Sequence, residues 1–329
     1  MSSRSSNSPD PESSMEEVRN FFRRMSNSRI LEYTLGVEHP SAPALAASTI
    51  VVVMDCEKYE SHPRVLTEYG LHTFTRSEMV PVLRKSTGFH GENLLKNIYY
   101  YHMRILGTAH FINHRFCPGN PENNHFGSTR FATKLEATEF LTRCIAWPLD
   151  PDQPNGAKCP VVFLGHAVKN ELEMLQQDLD IDPSAMSNVV AVIDTQNIAN
   201  EQGYRGRGDR IGLEVLTKQC SMQFRDAHTA GNDAAYTIIA AVQMVMKNRL
   251  PRPGHGRRSL QDVVDDLEKY SSSIDPGLGI AKYCTRCARQ DHTRKNCKGY
   301  IKRCEKCLEI GAEKAAYTHV TNLCTRFFN

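Results

Sequence analysis

The stretch STIVVVMDCE at residues 48–57 decides the fold. Ile50 to Met54 form a short apolar run, mostly β-branched, that closes on an acid. A run of that length and composition is a buried strand, and it delivers Asp55 at its C-terminal end, with Glu57 two residues on. Working outward, RVLTEYGLHTF (64–74) alternates like a second strand, and 98–116 holds a third, followed by the polar loop CPGNPENNHFGSTR (117–130). LEATEFLTRCIAW (135–147) has helical spacing, with Leu135, Phe140, Leu141, Cys144 and Ile145 on one side. CPVVFLGH (159–166) is another buried strand, and the helix KNELEMLQQDL (169–179) follows at once. NVVAVIDTQ (188–196) is a strand ending on Asp194, which reads as a structural cap. IGLEVLTKQC (211–220) and GNDAAYTIIAAVQMVMKN (231–248) are helices. Strands that alternate with helices, after hairpin-like strands, define an α/β layered fold with a mixed sheet flanked by helices.

The ends of the chain read differently. Residues 1–14 are rich in Ser, Pro and Asn and are expected to be disordered. Residues 15–28 form a short amphipathic helix, so that 1–28 is an extension before a large domain at 29–250. PRPGHGRRS (251–259) breaks the pattern and opens a linker, 251–283, with SLQDVVDDLEKY as a short helix inside it. The polar start MSSRSSNSPDPESS has no signal-peptide core, and no stretch approaches a membrane span. An intracellular protein, cytoplasmic or nuclear, with no membrane contact is expected.

The net charge of +3 is unevenly spread. From Arg252 onward 15 Lys/Arg stand against 9 Asp/Glu, a net +6, which leaves 25 against 28, a net −3, for the remainder. A basic tail on a slightly acidic body points to an anionic partner for the tail.

Of eleven cysteines, six lie in the last 46 residues. Cys284, Cys287, His292 and Cys297 have the spacing C-x2-C-x4-H-x4-C of a CCHC zinc knuckle. Zn²⁺ takes four tetrahedral S/N ligands, and a segment too short to bury a core folds by binding the metal. Cys304, Cys307, His319 and Cys324 repeat the ligand order with a longer middle, C-x2-C-x11-H-x4-C, and read as a second, expanded site; 284–324 is thus a tandem zinc region. Arg286, Arg289, Arg294, Lys295, Lys298, Lys302 and Arg303, with Tyr283 and Tyr300, surround the first set. Cations beside aromatic platforms suit single-stranded RNA or DNA, although such modules also bind proteins.

The acids of the large domain fall into an ordered set: Asp55-Cys56-Glu57, then Thr67-Glu68-Tyr69-Gly70, then LGHAVKNELEML, then His228-Thr-Ala-Gly-Asn-Asp233 opening a helix. D-x-E, T-E-x-G, a G-H helix and H-x-A-x-x-D in this order resemble the DEDDh 3′–5′ exonucleases of the ribonuclease-H-like superfamily over residues 48 to 247. The spacing looks most like the fungal nuclease-like domain of messenger-RNA-export suppressors and of a silencing-associated exonuclease. The resemblance implies a two-ion Mg²⁺ or Mn²⁺ site held by Asp55, Glu57 and Asp233, with His228 as general base. It also places Glu171 where the family has Asp, a residue one methylene longer at a position sensitive to placement. Asn170 and Glu173, its neighbours, offer no charge and another helix face respectively.

Three functions follow. The first is a metal-dependent 3′–5′ exonuclease whose knuckles hold single-stranded RNA or DNA. The second is a catalytically degenerate nucleic-acid-binding or ribonucleoprotein adaptor, and the third a zinc-organised protein–protein adaptor.

Overall fold

The computed structural model describes residues 11–115, 117–208, 210–251, 258–299, 303–317 and 319–324. In chain order the elements are α1 (Pro11–Arg23), α2 (Asn27–Thr34), β1 (Ile50–Lys58), β2 (Leu66–Thr75), α3 (Arg76–Lys85), α4 (Glu92–Leu95), β3 (Tyr99–Ile105) and β4 (Ser128–Ala132). Then come α5 (Lys134–Ile145), β5 (Val161–Gly165), α6 (Lys169–Leu179), β6 (Val189–Asp194), α7 (Thr195–Glu201), α8 (Leu213–Gln219) and α9 (Ala230–Met246). Finally α10 (Leu260–Ser272) precedes the short α11 (Glu305–Glu309) and α12 (Glu313–Ala316).

The six strands form one mixed sheet in the order β4-β3-β2-β1-β5-β6. β1, β2 and β3 are antiparallel neighbours, while β4 runs parallel to β3, β5 to β1 and β6 to β5. Alternation along β1 divides the core. Val51 and Val53 face the layer built by α2, α7, α8, α9 and α10, and Val52, Met54 and Cys56 face α5 and α6. α9 lies across β1 and β2 with every residue except Gln243 buried, so it is a central helix rather than an amphipathic surface one.

The structure refines several sequence expectations. β1 does not stop at Asp55: β2 pairs with it through Lys58, so Asp55 and Glu57 both lie within the strand and share one face. The third strand is shorter than 98–116, ending at Ile105, and Phe116 lies outside the described residues. The polar loop expected at 117–130 yields β4 at its end, held by parallel pairing with β3. On α5 the buried face is Ala137, Leu141 and Ile145, while Leu135 is 68% exposed.

The helix expected over 15–28 is two helices, parted where Ser26 caps α2 by accepting from Arg29 N. Val18 and Phe22 of α1 are fully buried, so this segment packs into the core. Of the stretch 1–14 expected to be disordered, residues 11–14 instead open α1, while 1–10, the basic and aromatic roles of Tyr300 and Lys302, and most of PRPGHGRRS fall outside the described residues. Within 251–283, α10 is opened by a Ser259–Asp262 capping box and buries Leu260, Val264 and Leu267 in the same core. Among the described residues, no helix is long and apolar enough to cross a membrane.

Candidate active site and metal centres

Three elements bring the acids together. β1 carries Asp55 and Glu57 on the α9 face. β5 pairs with β1 only as far as Val53, which leaves the next backbone N–H groups of β1 open on that side. Glu171, in the first turn of α6 and 5% exposed, fills the gap: its Oε2 accepts from Cys56 N at 2.7 Å. α6 is itself positioned by Asp194, whose carboxylate accepts from Ala167 N and Val168 N, both at 3.1 Å, while capping α7. Asp194 therefore supports the turn and stands outside the acidic cluster.

The third element is the start of α9. Asp55 stands opposite Gly70 on β2, and a Cβ on Gly70 would lie 2.1 Å from the carbonyl oxygen of Ala230. Only glycine lets the helix end come this close to the strand, and that approach sets Asp233 beside Asp55. Asp233 Oδ2 accepts from His228 N at 3.0 Å. His228 adopts φ +58° and projects over Glu57, with Nδ1 3.7 Å from Glu57 Oε1. Ligand atoms of Glu57, His228 and Asp233 all lie within 4.8 Å of one another.

The His228 loop is braced from outside. Asp226, also at positive φ, accepts from Asn120, Asn123 and His125, and Arg225 pairs with Asp265 and Glu268 of α10.

The charge balance here is unfavourable for protein alone. Burial, then Glu171 and Asp233, push the Asp55 carboxyl well above the usual carboxylate range. Burial does the same to Asp233, Glu171 and, less strongly, Glu57. Asp55 Oδ2 and Asp233 Oδ1 are buried with no hydrogen-bond partner. The Glu57 carboxylate is the chief reason the His228 imidazole is shifted up. Crowded carboxylates with unpartnered oxygens fit a divalent-cation site, because a cation removes both the repulsion and the desolvation penalty.

One acid of the T-E-x-G segment has a function that the sequence left unassigned. Glu68 lies 2% exposed on β2, and its Oε1 accepts from Ala230 N at 3.0 Å. His102 Nε2 and Arg104 Nε of β3 each stand 3.4 Å from its Oε2. Burial alone would raise the Glu68 carboxyl, but His102, Arg104 and the Ala230 N–H outweigh it and hold it below its ordinary value. Glu68 thus ties the end of α9 to the sheet and faces the Arg104 guanidinium and the His102 ring. No local spacing could have paired it with His102 and Arg104, which reach it only through strand register.

In the tail, Cys284, Cys287, His292 and Cys297 converge, and so do Cys304, Cys307, His319 and Cys324, each set with its ligand atoms within 4.8 Å. Tetrahedral bonds of about 2.3 Å to sulfur and 2.0–2.1 Å to nitrogen put neighbouring ligand atoms about 3.5–3.8 Å apart. Cys287 Sγ is 3.5 Å from His292 Nε2, and Cys307 Sγ is 3.7 Å from both His319 Nε2 and Cys324 Sγ. Asp291 lies 2.6 Å from His292 Nδ1, the outer partner that leaves Nε2 for a metal. The His292 imidazole brings the Cys297 thiol down to about 7, whereas burial pushes Cys284 up to about 11 and Cys307 up to about 12, so it is the convergence of the donors that marks the sites. Among the described residues no cysteine is in a disulfide, and both donor sets fit zinc.

A mixed α/β sheet with acids gathered at one end of its central strand defines the class: a ribonuclease-H-like nuclease domain carrying a Cys/His-cluster tail. Residues 50–244 match the DEDDh family described as DNA polymerase III subunit epsilon-like, C-terminal domain, and the chain belongs to that family. An uncharacterized nucleolar protein of Schizosaccharomyces pombe is 24% identical over 201 residues, covering 60% of this chain and 69% of that protein. Among solved structures, a zinc-bound E. coli exonuclease I–single-stranded DNA complex is similar at 14% identity and TM-score 0.36, over 61% of this chain and 41% of that one. The same enzyme with a dA16 oligonucleotide is similar at 13% identity and TM-score 0.36, over 61% and 42% of the two chains. The chain thus spans about two-fifths of the length of the exonuclease I chains it matches.

Proposed function

We propose that this protein is a metal-dependent 3′–5′ exonuclease acting on single-stranded RNA or DNA, with its Cys/His tail binding two zinc ions and the nucleic acid. The observation that carries the reading is the convergence of Asp55, Glu57, Glu171 and Asp233, from three separate elements, around carboxylate oxygens that no protein group satisfies. Asp55, Glu57 and Asp233 hold the ions in this reading, Glu171 completes the acidic wall, and His228 is the general base. Two Mg²⁺ or Mn²⁺ ions held there would supply water activation and charge stabilisation at the leaving oxygen.

The remaining chemistry belongs to the chain. His228 is partly exposed at the mouth of the site, with its backbone N–H held by Asp233 and its ring beside Glu57. It accepts the proton from the attacking water and passes it to solvent, and Glu57 stabilises the imidazolium that forms. Burial and repulsion among the carboxylates raise the Asp55 and Asp233 carboxyls, so cations bound there would compete with protons. Cations of the tail, Arg286, Arg289, Arg294, Lys295, Lys298 and Arg303, pair with phosphates, and the nucleolar relative fits a nuclear location.

The test is hydrolysis of a single-stranded oligonucleotide in Mg²⁺ or Mn²⁺ by the full chain and by Asp233→Asn. Metal-dependent release of mononucleotides, lost in the variant, supports the reading. An adaptor reading rests on Glu171 in place of Asp, and it gains if strands bind tightly but stay intact with either metal.

A further inference from the structure

The first Cys/His set is packed against the domain rather than suspended from it. Tyr283, directly before Cys284, is 7% exposed and lies on Phe131 of β4, ring centroids 5.4 Å apart, beside Ala109. Ile280 exchanges two backbone hydrogen bonds with Phe131, of 2.9 and 2.7 Å, so the approach to the first ligand extends the sheet at its β4 edge. Thr285, between Cys284 and Cys287 and 1% exposed, stands 3.4 Å from Glu122 Oε1.

From there a buried polar chain runs inward. Glu122 Oε1 accepts from Arg104 Nη1 at 2.7 Å, and the Arg104 guanidinium lies over the Phe131 ring. Arg104 Nε is 3.4 Å from Glu68, which holds Ala230 N, and Ala230 begins the turn that carries Asp233. Arg104 and Glu68 are 1% and 2% exposed, so neither charge has water to replace a lost partner.

We propose that the first zinc site is a positioning element of the carboxylate site: zinc at Cys284, Cys287, His292 and Cys297 fixes Tyr283 and Thr285, and through Glu122, Arg104 and Glu68 it fixes the start of α9. The turnover part of this proposal rests on the nuclease reading; the structural part does not. A knuckle has no core of its own, so losing the metal releases Tyr283 from Phe131 and Thr285 from Glu122 together. Water then reaches the Glu122–Arg104 pair, and the Ala230 N–H loses its fixed acceptor. Tail zinc therefore governs turnover even on a substrate too small to touch the tail.

The experiment uses the full chain, Cys287→Ser, and Glu122→Gln, which keeps all eight tail ligands. Three quantities are read: zinc content, hydrolysis of a nucleoside 5′-monophosphate p-nitrophenyl ester in Mn²⁺, and amide hydrogen exchange at Ala230. Cys287→Ser loses one zinc, and in both variants kcat on the ester falls about tenfold with little change in KM while Ala230 exchange quickens by a similar factor. Glu122→Gln keeps both zincs and its affinity for a long single strand, which separates positioning from strand binding. Unchanged Ala230 exchange in a Cys287→Ser protein that has lost its zinc overturns the proposal. If the wild-type chain hydrolyses nothing, the nuclease reading fails, and the exchange result alone still decides the positioning proposal.

Discussion

Gly70→Ala places one methyl group where the structure has no room. Its Cβ would meet Ala230 O at 2.1 Å, Ala230 C at 2.5 Å and Gly231 Cα at 2.7 Å. All three are backbone atoms at the start of α9, so no side chain can swing aside. Restoring ordinary contact at 3.4 Å requires a shift of about 1.3 Å between β2 and the helix end. Asp55, opposite Gly70 in register, and Asp233, one turn into α9, move apart by a comparable amount. A 1 Å misplacement costs on the order of 10²-fold in rate. Overpacking of this kind costs about 1–3 kcal/mol, or roughly 2–12 °C in Tm for a domain of this size. Steady-state hydrolysis of a short oligonucleotide and a thermal melt read both effects. A Gly70→Ala protein with wild-type turnover and wild-type Tm would refute the claim that this close approach builds the site.

Other perturbations have defined outcomes. Glu171→Asp withdraws the carboxylate from Cys56 N by about 1.5 Å, so turnover falls roughly tenfold rather than rising toward a family norm; a rate gain in steady-state assays contradicts the fit seen for Glu171. His228→Ala lowers kcat by about 10²–10⁴-fold while calorimetry still detects Mn²⁺ binding, and loss of the metal instead would recast His228 as a ligand. Phe22→Ala, at a fully buried position of α1, destabilises the domain by about 3–5 kcal/mol in urea titration, whereas a change below about 1 kcal/mol would show α1 to be a dispensable arm.

What the sequence revealed and what it hid divide along local and non-local lines. β1 was legible because Ile50 to Met54 carry strand propensity and burial in one run, and the tail because eight ligands sit at fixed short spacings. β4 was hidden: Ser128 to Ala132 follow a Gly/Asn-rich loop, and their strand exists only through pairing with β3. α3 carries a Thr75–Glu78 capping box, but Pro81 inside it masked the helical pattern. On α5 the spacing places Phe140, Leu141, Cys144 and Ile145 on the core correctly; Leu135, in the first turn, points to solvent, and the small Ala137, which carries little apolar signal, faces the core.

The candidate site shows the same division. H-x-A-x-x-D announces Asp233 and His228, and G-H announces the helix that bears Glu171. The buried supports, Glu68 with His102 and Arg104 and Asp226 with His125, come from segments distant in sequence and are joined only by the fold.

The most direct test of the central claim is the fate of 5′-labelled single-stranded RNA and of its DNA counterpart in Mg²⁺ and in Mn²⁺, with an Asp55→Ala/Glu57→Ala protein as control. The account predicts a metal-dependent ladder that shortens from the 3′ end on at least one of the two strands and is absent in the control. Intact strands under every condition, with binding retained, would contradict it and leave a nuclease fold that serves only as a platform for the tail.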